Sequence, residues 1–195
     1  MSFFAEGLLI NVLFGLSEKK LFKEILSNTG MKVTTKNGDK GTTMFRLGET
    51  ISKADVRIEF VGTVDELQVA IGGVLMPNQD IADQLHWVQK KLFDIYSKKI
   101  EPEDVQHLEA WQEQLHNDPE ITFDWNLTTP KTFLVDLARV TARKLERVYH
   151  CLPEEEKHEQ TTLFLNRLSD YLWSVGRKIE SVPKEHLGAL PSENE

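Results

Sequence analysis

Three groups of polar residues have types and spacings that could do chemistry. The first is the run Thr35-Lys36-Asn37-Gly38-Asp39-Lys40-Gly41-Thr42-Thr43. Its two glycines let the backbone turn so that N–H groups converge, while lysines and hydroxyls add charge and donors, the mix a polyphosphate requires. It lacks the G-x-x-x-x-G-K-[ST] spacing and is not that phosphate loop. A Gly/Lys/Thr run is also often no more than a solvated turn. The second group is Arg139, Arg143 and Arg147, at i, i+4 and i+8 of one helix face, with Lys144 beside them and Glu146 placed to orient an arginine. Like charges so spaced repel by about a few tenths of a kcal/mol per pair. The stripe therefore calls either for a bound anion or for acids from elsewhere in the chain. The third group is Asn166, Arg167, Ser169 and Asp170 inside an otherwise apolar stretch, with Asn166 and Asp170 on one side; an ordinary polar stripe is the plain alternative. Asp65 stands among Val61, Val64 and Leu67, where a carboxylate needs a cationic partner, and Arg139 is a candidate.

The elements that must position these groups are helical. From Arg57 onward, apolar residues recur at helical spacing over about 57–75, 80–99, 102–117, 130–151 and 159–181. The fourth stretch begins after Pro130, a good first-turn residue, and Pro77, Pro102, Pro119, Pro153 and Pro183 also fall near segment ends. Five helices with short joins predict an all-α bundle. Residues 32–55, rich in Gly, Thr, Lys and Asp, read as a loop with short extended pieces. Ser17 could cap a short helix carrying Leu21, Ile25 and Leu26 before Gly30. The expected organisation is an N-terminal extension over 1–31, a helical bundle over 32–182 that begins with the polar loop, and a polar tail over 183–195.

Composition narrows the functions. With 195 residues, one domain of ordinary size is expected. Lys+Arg 23 against Asp+Glu 31 gives a net charge of −8, which argues against a general nucleic-acid binder. A single cysteine, Cys151, excludes an internal disulfide and a cysteine-based zinc site, and it reads as a small buried thiol. The six histidines show no metal-ligand spacing, so no protein-held metal is expected. Trp87, Trp111, Trp125 and Trp173 read as packing residues. The stretch Met1–Leu16 is too short and too interrupted for a membrane span, and a cytoplasmic protein is expected.

Taken in order, four stretches resemble the PduO-type ATP:cob(I)alamin adenosyltransferases: TTKNGDKGTT (34–43), SKADVRIEFVGTVDEL (52–67), LARVTARKLERV (137–148) and FLNRLSDYL (164–172). The resemblance implies a ferritin-like five-helix bundle that forms a homotrimer with sites between subunits. It implies transfer of the 5′-deoxyadenosyl group of ATP, with Mg²⁺, to the cobalt of a reduced corrinoid. Carried over by position, Thr35, Lys36, Asn37, Gly38, Asp39, Lys40, Gly41 and Thr43 form the nucleotide loop. Lys53 binds phosphate, and Arg143, Glu146, Arg147 and Asn166 make further ATP contacts. Asp65 and Arg139 form a salt bridge across the subunit interface, and Phe123 lies against the lower face of the corrinoid. Arg143, Asp65, Arg139 and Phe123 make up the implied catalytic set.

Cobalt(I) is itself the nucleophile, so such a site needs no side-chain base. It must align C5′ and stabilise the negative leaving group. The sequence departs from the family pattern at Trp125–Thr129, at Asp136 in place of histidine, at Lys144 and Leu145 in place of arginine and alanine, at Tyr96 in place of glycine and at Gln68 in place of asparagine. These changes lie mostly toward the corrinoid. A nucleotide-binding homologue without corrinoid chemistry, and a bundle that binds no ligand, remain the alternative readings.

Overall fold

In the computed structural model, the described residues are 36, 38–45, 48–74, 76, 79–119, 121 and 128–183. The expected helix after Ser17, most of the polar tail, and Thr35, Asn37, Phe123 and Trp125 lie outside them. The described chain opens with a hairpin of β1 (Thr42–Phe45) and β2 (Glu49–Ser52), antiparallel with Thr42 opposite Ser52 and Phe45 opposite Glu49. Five helices follow: α1 (Val56–Gly72), α2 (Gln79–Asp94), α3 (Pro102–His116), α4 (Phe133–His150) and α5 (Glu159–Ser181). Short 3₁₀ turns at Ile95–Ser97 and Glu154–Glu156 follow α2 and precede α5. The five expected helices are all present, each end within a few residues of its predicted place.

Helix α1 starts where the side chain of Asp55 accepts the N–H of Arg57 at 2.9 Å, the capping bond that satisfies an otherwise orphan donor. It runs antiparallel to α4. Its early Phe60 ring lies 5.7 Å from the late Tyr149 ring, and a Cβ placed at Gly73 would come within 3.0 Å of Leu134 at the other end. Helix α5 packs against both α4 and α3. Val64, Leu67, Leu85, Leu145, Phe164 and Leu168 are fully buried between these helices. Full burial of one such side chain contributes roughly 1.5–3 kcal/mol. Within this core the Tyr171 hydroxyl donates to Gln84 Oε1 of α2 at 2.9 Å, a buried polar pair between distant helices.

A smaller cluster of Phe45, Ile51 and Val61 fastens the hairpin to α1. Tyr96 packs against this cluster and against the main core. Trp87 and Trp111 pack as expected, edge to face with centroids 5.0 Å apart against the core. Cys151 differs from expectation: it is exposed. It is the residue that ends α4, its N–H bonded back to Val148 at 3.0 Å. The helix terminus turns it outward, and Leu152 enters the core instead.

Candidate active site

The polar loop is built around two tight turns. Asp39 N–H reaches the carbonyl of Lys36, and Gly41 N–H reaches that of Gly38, at 3.2 and 3.3 Å. Lys36 and Gly41 take positive φ, 61° and 76°, a conformation that suits glycine and strains lysine. Lys53 N–H closes the base of the hairpin on the Gly41 carbonyl at 2.9 Å. Its side chain then folds over Gly38, where an added Cβ would lie 2.7 Å from Nζ. A side chain at position 38 would only push the flexible lysine end aside, and Lys36, Lys40 and Lys53, all exposed, share this small region.

Arg57 holds the hairpin to the bundle. Its Nε and Nη2 bond both oxygens of Asp55, at 3.0 and 2.9 Å, its Nη1 bonds Glu49 at 2.9 Å, and its guanidinium lies 5.1 Å from the Phe45 ring centroid. Those hydrogen bonds from Arg57 hold the Asp55 carboxyl down at about 2. Arg57 is a residue that the sequence patterns above do not mark, because its partners Asp55 and Glu49 meet it only once the hairpin folds back on α1.

On α4 the basic residues divide. Lys144 is bound by Glu59 at 3.1 Å and Glu66 at 2.9 Å, both from α1. Arg139 bonds Asp136, one turn earlier, at 3.3 Å. Arg143 and Arg147 are exposed and make no ion pair among the described residues. Glu146 does not orient an arginine as expected; it accepts from Asn166 Nδ2 of α5 at 3.1 Å. On the other side of Asn166, Arg167 Nη1 donates to its Oδ1 at 2.6 Å.

Asp65 and Arg139 do not meet within one chain. Arg139 is occupied by Asp136, and Asp65 has no ion-pair partner among the described residues. Burial alone pushes the Asp65 carboxyl up to about 6, the shift expected of a carboxylate without a cation. Burial, with the Asp65 charge nearby, also raises the Tyr96 hydroxyl well above its ordinary value.

Three departures from the family pattern have structural roles. Gln68 donates to the Gln89 carbonyl at 2.7 Å, and Gln89 returns a bond to the Gln68 carbonyl at 3.1 Å, joining α1 to α2. Tyr96 donates to the Val61 carbonyl at 3.4 Å. Asp136 neutralises Arg139. Helix α5 also holds Asp118 and Thr129: Lys178 donates to Asp118 at 2.7 Å, and Glu180 accepts from the Thr129 hydroxyl at 2.8 Å.

Because α1 and α4 are antiparallel, the hairpin before α1 and the Arg143–Arg147 end of α4 belong to the same end of the bundle. No hydrogen bond or ion pair joins them within the chain among the described residues.

Among the described residues, then, the fold is a helical bundle that gathers exposed lysines and the unpaired Arg143 and Arg147 toward one end. A family model described as cobalamin adenosyltransferase matches residues 33–179, and the chain belongs to that family. It is 33% identical over 170 residues to a corrinoid adenosyltransferase of Bacillus subtilis, covering 77% of this chain and 88% of the relative. It is 29% identical over 170 residues to one of Citrobacter freundii, covering 78% and 97%. Among solved structures, a variant PduO-type ATP:corrinoid adenosyltransferase from Lactobacillus reuteri, complexed with cobalamin and ATP, superposes with a TM-score of 0.65 at 27% identity. That match covers 76% of this chain and 92% of the other.

Proposed function

We infer that this protein is an ATP:cob(I)alamin adenosyltransferase. The observation that carries the reading is the pair Arg143 and Arg147, without an acidic partner among the described residues in a chain of net charge −8, while the neighbouring Lys144 takes two. Cations kept free of carboxylates are available to an anionic ligand. In the reaction, the Co(I) electron pair forms the Co–C5′ bond, and the C5′–O bond breaks with its electrons leaving on triphosphate. Arg143, Arg147 and Lys53 stabilise that leaving charge, which grows in the transition state. Lys36, Gly38, Asp39, Lys40, Gly41 and Thr43 cradle the phosphates together with Thr35 and Asn37, and Phe123 lies below the corrinoid.

Mg²⁺ fits as an ion that arrives on the nucleotide. Among the described residues no three His, Cys, Asp or Glu side chains form a metal cluster, and Mg²⁺ commonly binds through substrate phosphates and one or two carboxylates. Glu146, beside Arg143 and Arg147, is the carboxylate at hand; the ion would neutralise phosphate charge.

A homotrimer belongs to the same proposal. Phe133, Leu137 and Val140 lie along one side of α4 and are 56%, 41% and 45% exposed, with Val69 of the adjacent α1 at 74%. An exposed apolar strip of this kind fits burial against another copy. It would bring Arg139 of one subunit to the unpaired Asp65 of the next. Light scattering of the purified protein checks the assembly state. No described helix is long and apolar enough to cross a membrane; a cytoplasmic location is part of the proposal and is checked by cell fractionation.

The deciding experiment is turnover of chemically reduced cobalamin with Mg-ATP, followed by the corrinoid's visible spectrum. Formation of adenosylcobalamin is expected. ATP binding by calorimetry without turnover, under conditions where the Bacillus subtilis relative is active, would instead identify a nucleotide-binding homologue.

A further inference from the structure

Asn166 lies between two groups whose hydrogen-bonding roles are fixed. Its Nδ2 donates to Glu146 Oε1 at 3.1 Å, and its Oδ1 accepts from Arg167 Nη1 at 2.6 Å. An ionised carboxylate only accepts and a guanidinium only donates, so the amide has a single orientation, Nδ2 toward α4. The arrangement continues outward, where Arg167 Nε donates to Glu109 Oε1 of α3 at 2.7 Å. A continuous hydrogen-bonded path therefore crosses from α3 through α5 to α4: Glu109, Arg167, Asn166, Glu146. Beyond it, Arg167 and Glu109 border an open cleft with Glu113 and Asp170, so further acids flank the guanidinium on that side.

Glu146 by itself settles which end of the amide is which, but a single contact leaves the side chain free to swing about χ1 and χ2. The second contact, from Arg167, removes that freedom. The pair that supplies it is exposed, with Arg167 at 36% and Glu109 at 48%, so it adds little to stability. Its effect is on the geometry of the asparagine.

We propose that Arg167 and Glu109 are positioning residues of the nucleotide site, holding the Asn166 amide fixed so that its remaining Nδ2 hydrogen is presented to an acceptor atom of ATP. The inference rests on the reading that Asn166 contacts the nucleotide, and the test separates the two. Four full-length proteins are compared by Mg-ATP calorimetry, steady-state turnover and thermal melting: wild type, Arg167→Ala, Asn166→Ala and the double variant. Ordering one side chain corresponds to about a 2- to 10-fold change in affinity. Arg167→Ala should raise the Kd and KM for ATP by that factor with kcat within about 2-fold, the signature of lost uniform binding. Its melting midpoint should stay within about 2 °C of wild type, as for an exposed pair.

In the Asn166→Ala background, adding Arg167→Ala should weaken ATP binding no further, because the group it holds is gone. Additive losses overturn the proposal, since Arg167 would then act on its own. A loss from Asn166→Ala with none from Arg167→Ala also overturns it and leaves the functional reading intact. Unchanged ATP binding in Asn166→Ala overturns the reading and the proposal together. Glu109→Gln, which keeps an acceptor for Arg167, should lie closer to wild type than Glu109→Ala; equal values for the two also count against the relay.

Discussion

Lys144 and Arg143 are neighbours in sequence and differ in every electrostatic respect. Lys144 faces α1, where Glu59 and Glu66 surround its ammonium. Arg143 projects from the exposed side of α4, with Arg147 one turn further on, and no acid meets either among the described residues. The chain has 31 acidic residues and 23 basic ones, so pairing is the ordinary outcome and its lack on one side marks a place from which acids are withheld. Arg177 is the third case. It is 4% exposed beside Trp173, and its Nε and Nη1 have no hydrogen-bond partner among the described residues. A guanidinium open to water loses nothing by lacking a partner, whereas a buried one lacks both water and acceptor.

This comparison can be broken at several points. The largest effect belongs to Arg143→Ala, expected to lower kcat/KM for ATP by about 100-fold, or about 2.7 kcal/mol, with no fall in melting temperature; a well-melting, fully active variant would end the assignment. Arg177→Met tests the buried case: replacing a poorly satisfied buried charge by an apolar side chain of similar length is expected to leave stability unchanged or raise it by about 1–3 kcal/mol, read from chemical denaturation. Lys144→Ala removes two exposed pairs and should cost no more than about 1 kcal/mol, discounted for solvent screening, with turnover near wild type.

The effect confined to the narrowest range of conditions is a slope with pH. The Asp65 carboxyl is raised by burial to about 6 from an ordinary 3.8, so the folded protomer binds this proton more readily than the unfolded chain. Its contribution to stability is greatest below about pH 4 and declines as the pH rises toward 6. Asp65→Asn should flatten denaturation free energies over that window in dilute, dissociated protein. In the proposed trimer, an arginine brought to Asp65 from a neighbouring subunit should suppress the slope in wild type as well.

The helices were legible because their evidence is local and repeated: Leu67, Ile71, Leu85 and Leu92 recur at the period of a helix and are buried. Prolines near the segment ends limited the errors to a few residues. The hairpin was read only as short extended pieces, since four-residue strands carry little periodic signal. Of the candidate site, the free state of Arg143 and Arg147 could not be read, because it depends on which helix lies alongside α4. Arg139 pairs with Asp136, three residues before it on the same helix, a local contact that outcompetes the distant Asp65 within one chain. Arg167 was visible as part of a polar stripe. Its bond to Glu109, 58 positions away, exists only once α3 packs on α5. For Cys151, position at the end of α4 outweighs the usual burial of a thiol.

The ring of Tyr96, shared between the small hairpin cluster and the helical core, sets how independently the hairpin can fluctuate. Amide protons of the two strands would otherwise exchange with solvent on their own timescale, as a separate cooperative unit. With the ring lodged in both clusters, opening the hairpin also uncovers the edge of the core near Phe60, so the deuterium-uptake rates of the strands and of the first turns of α1 are tied together.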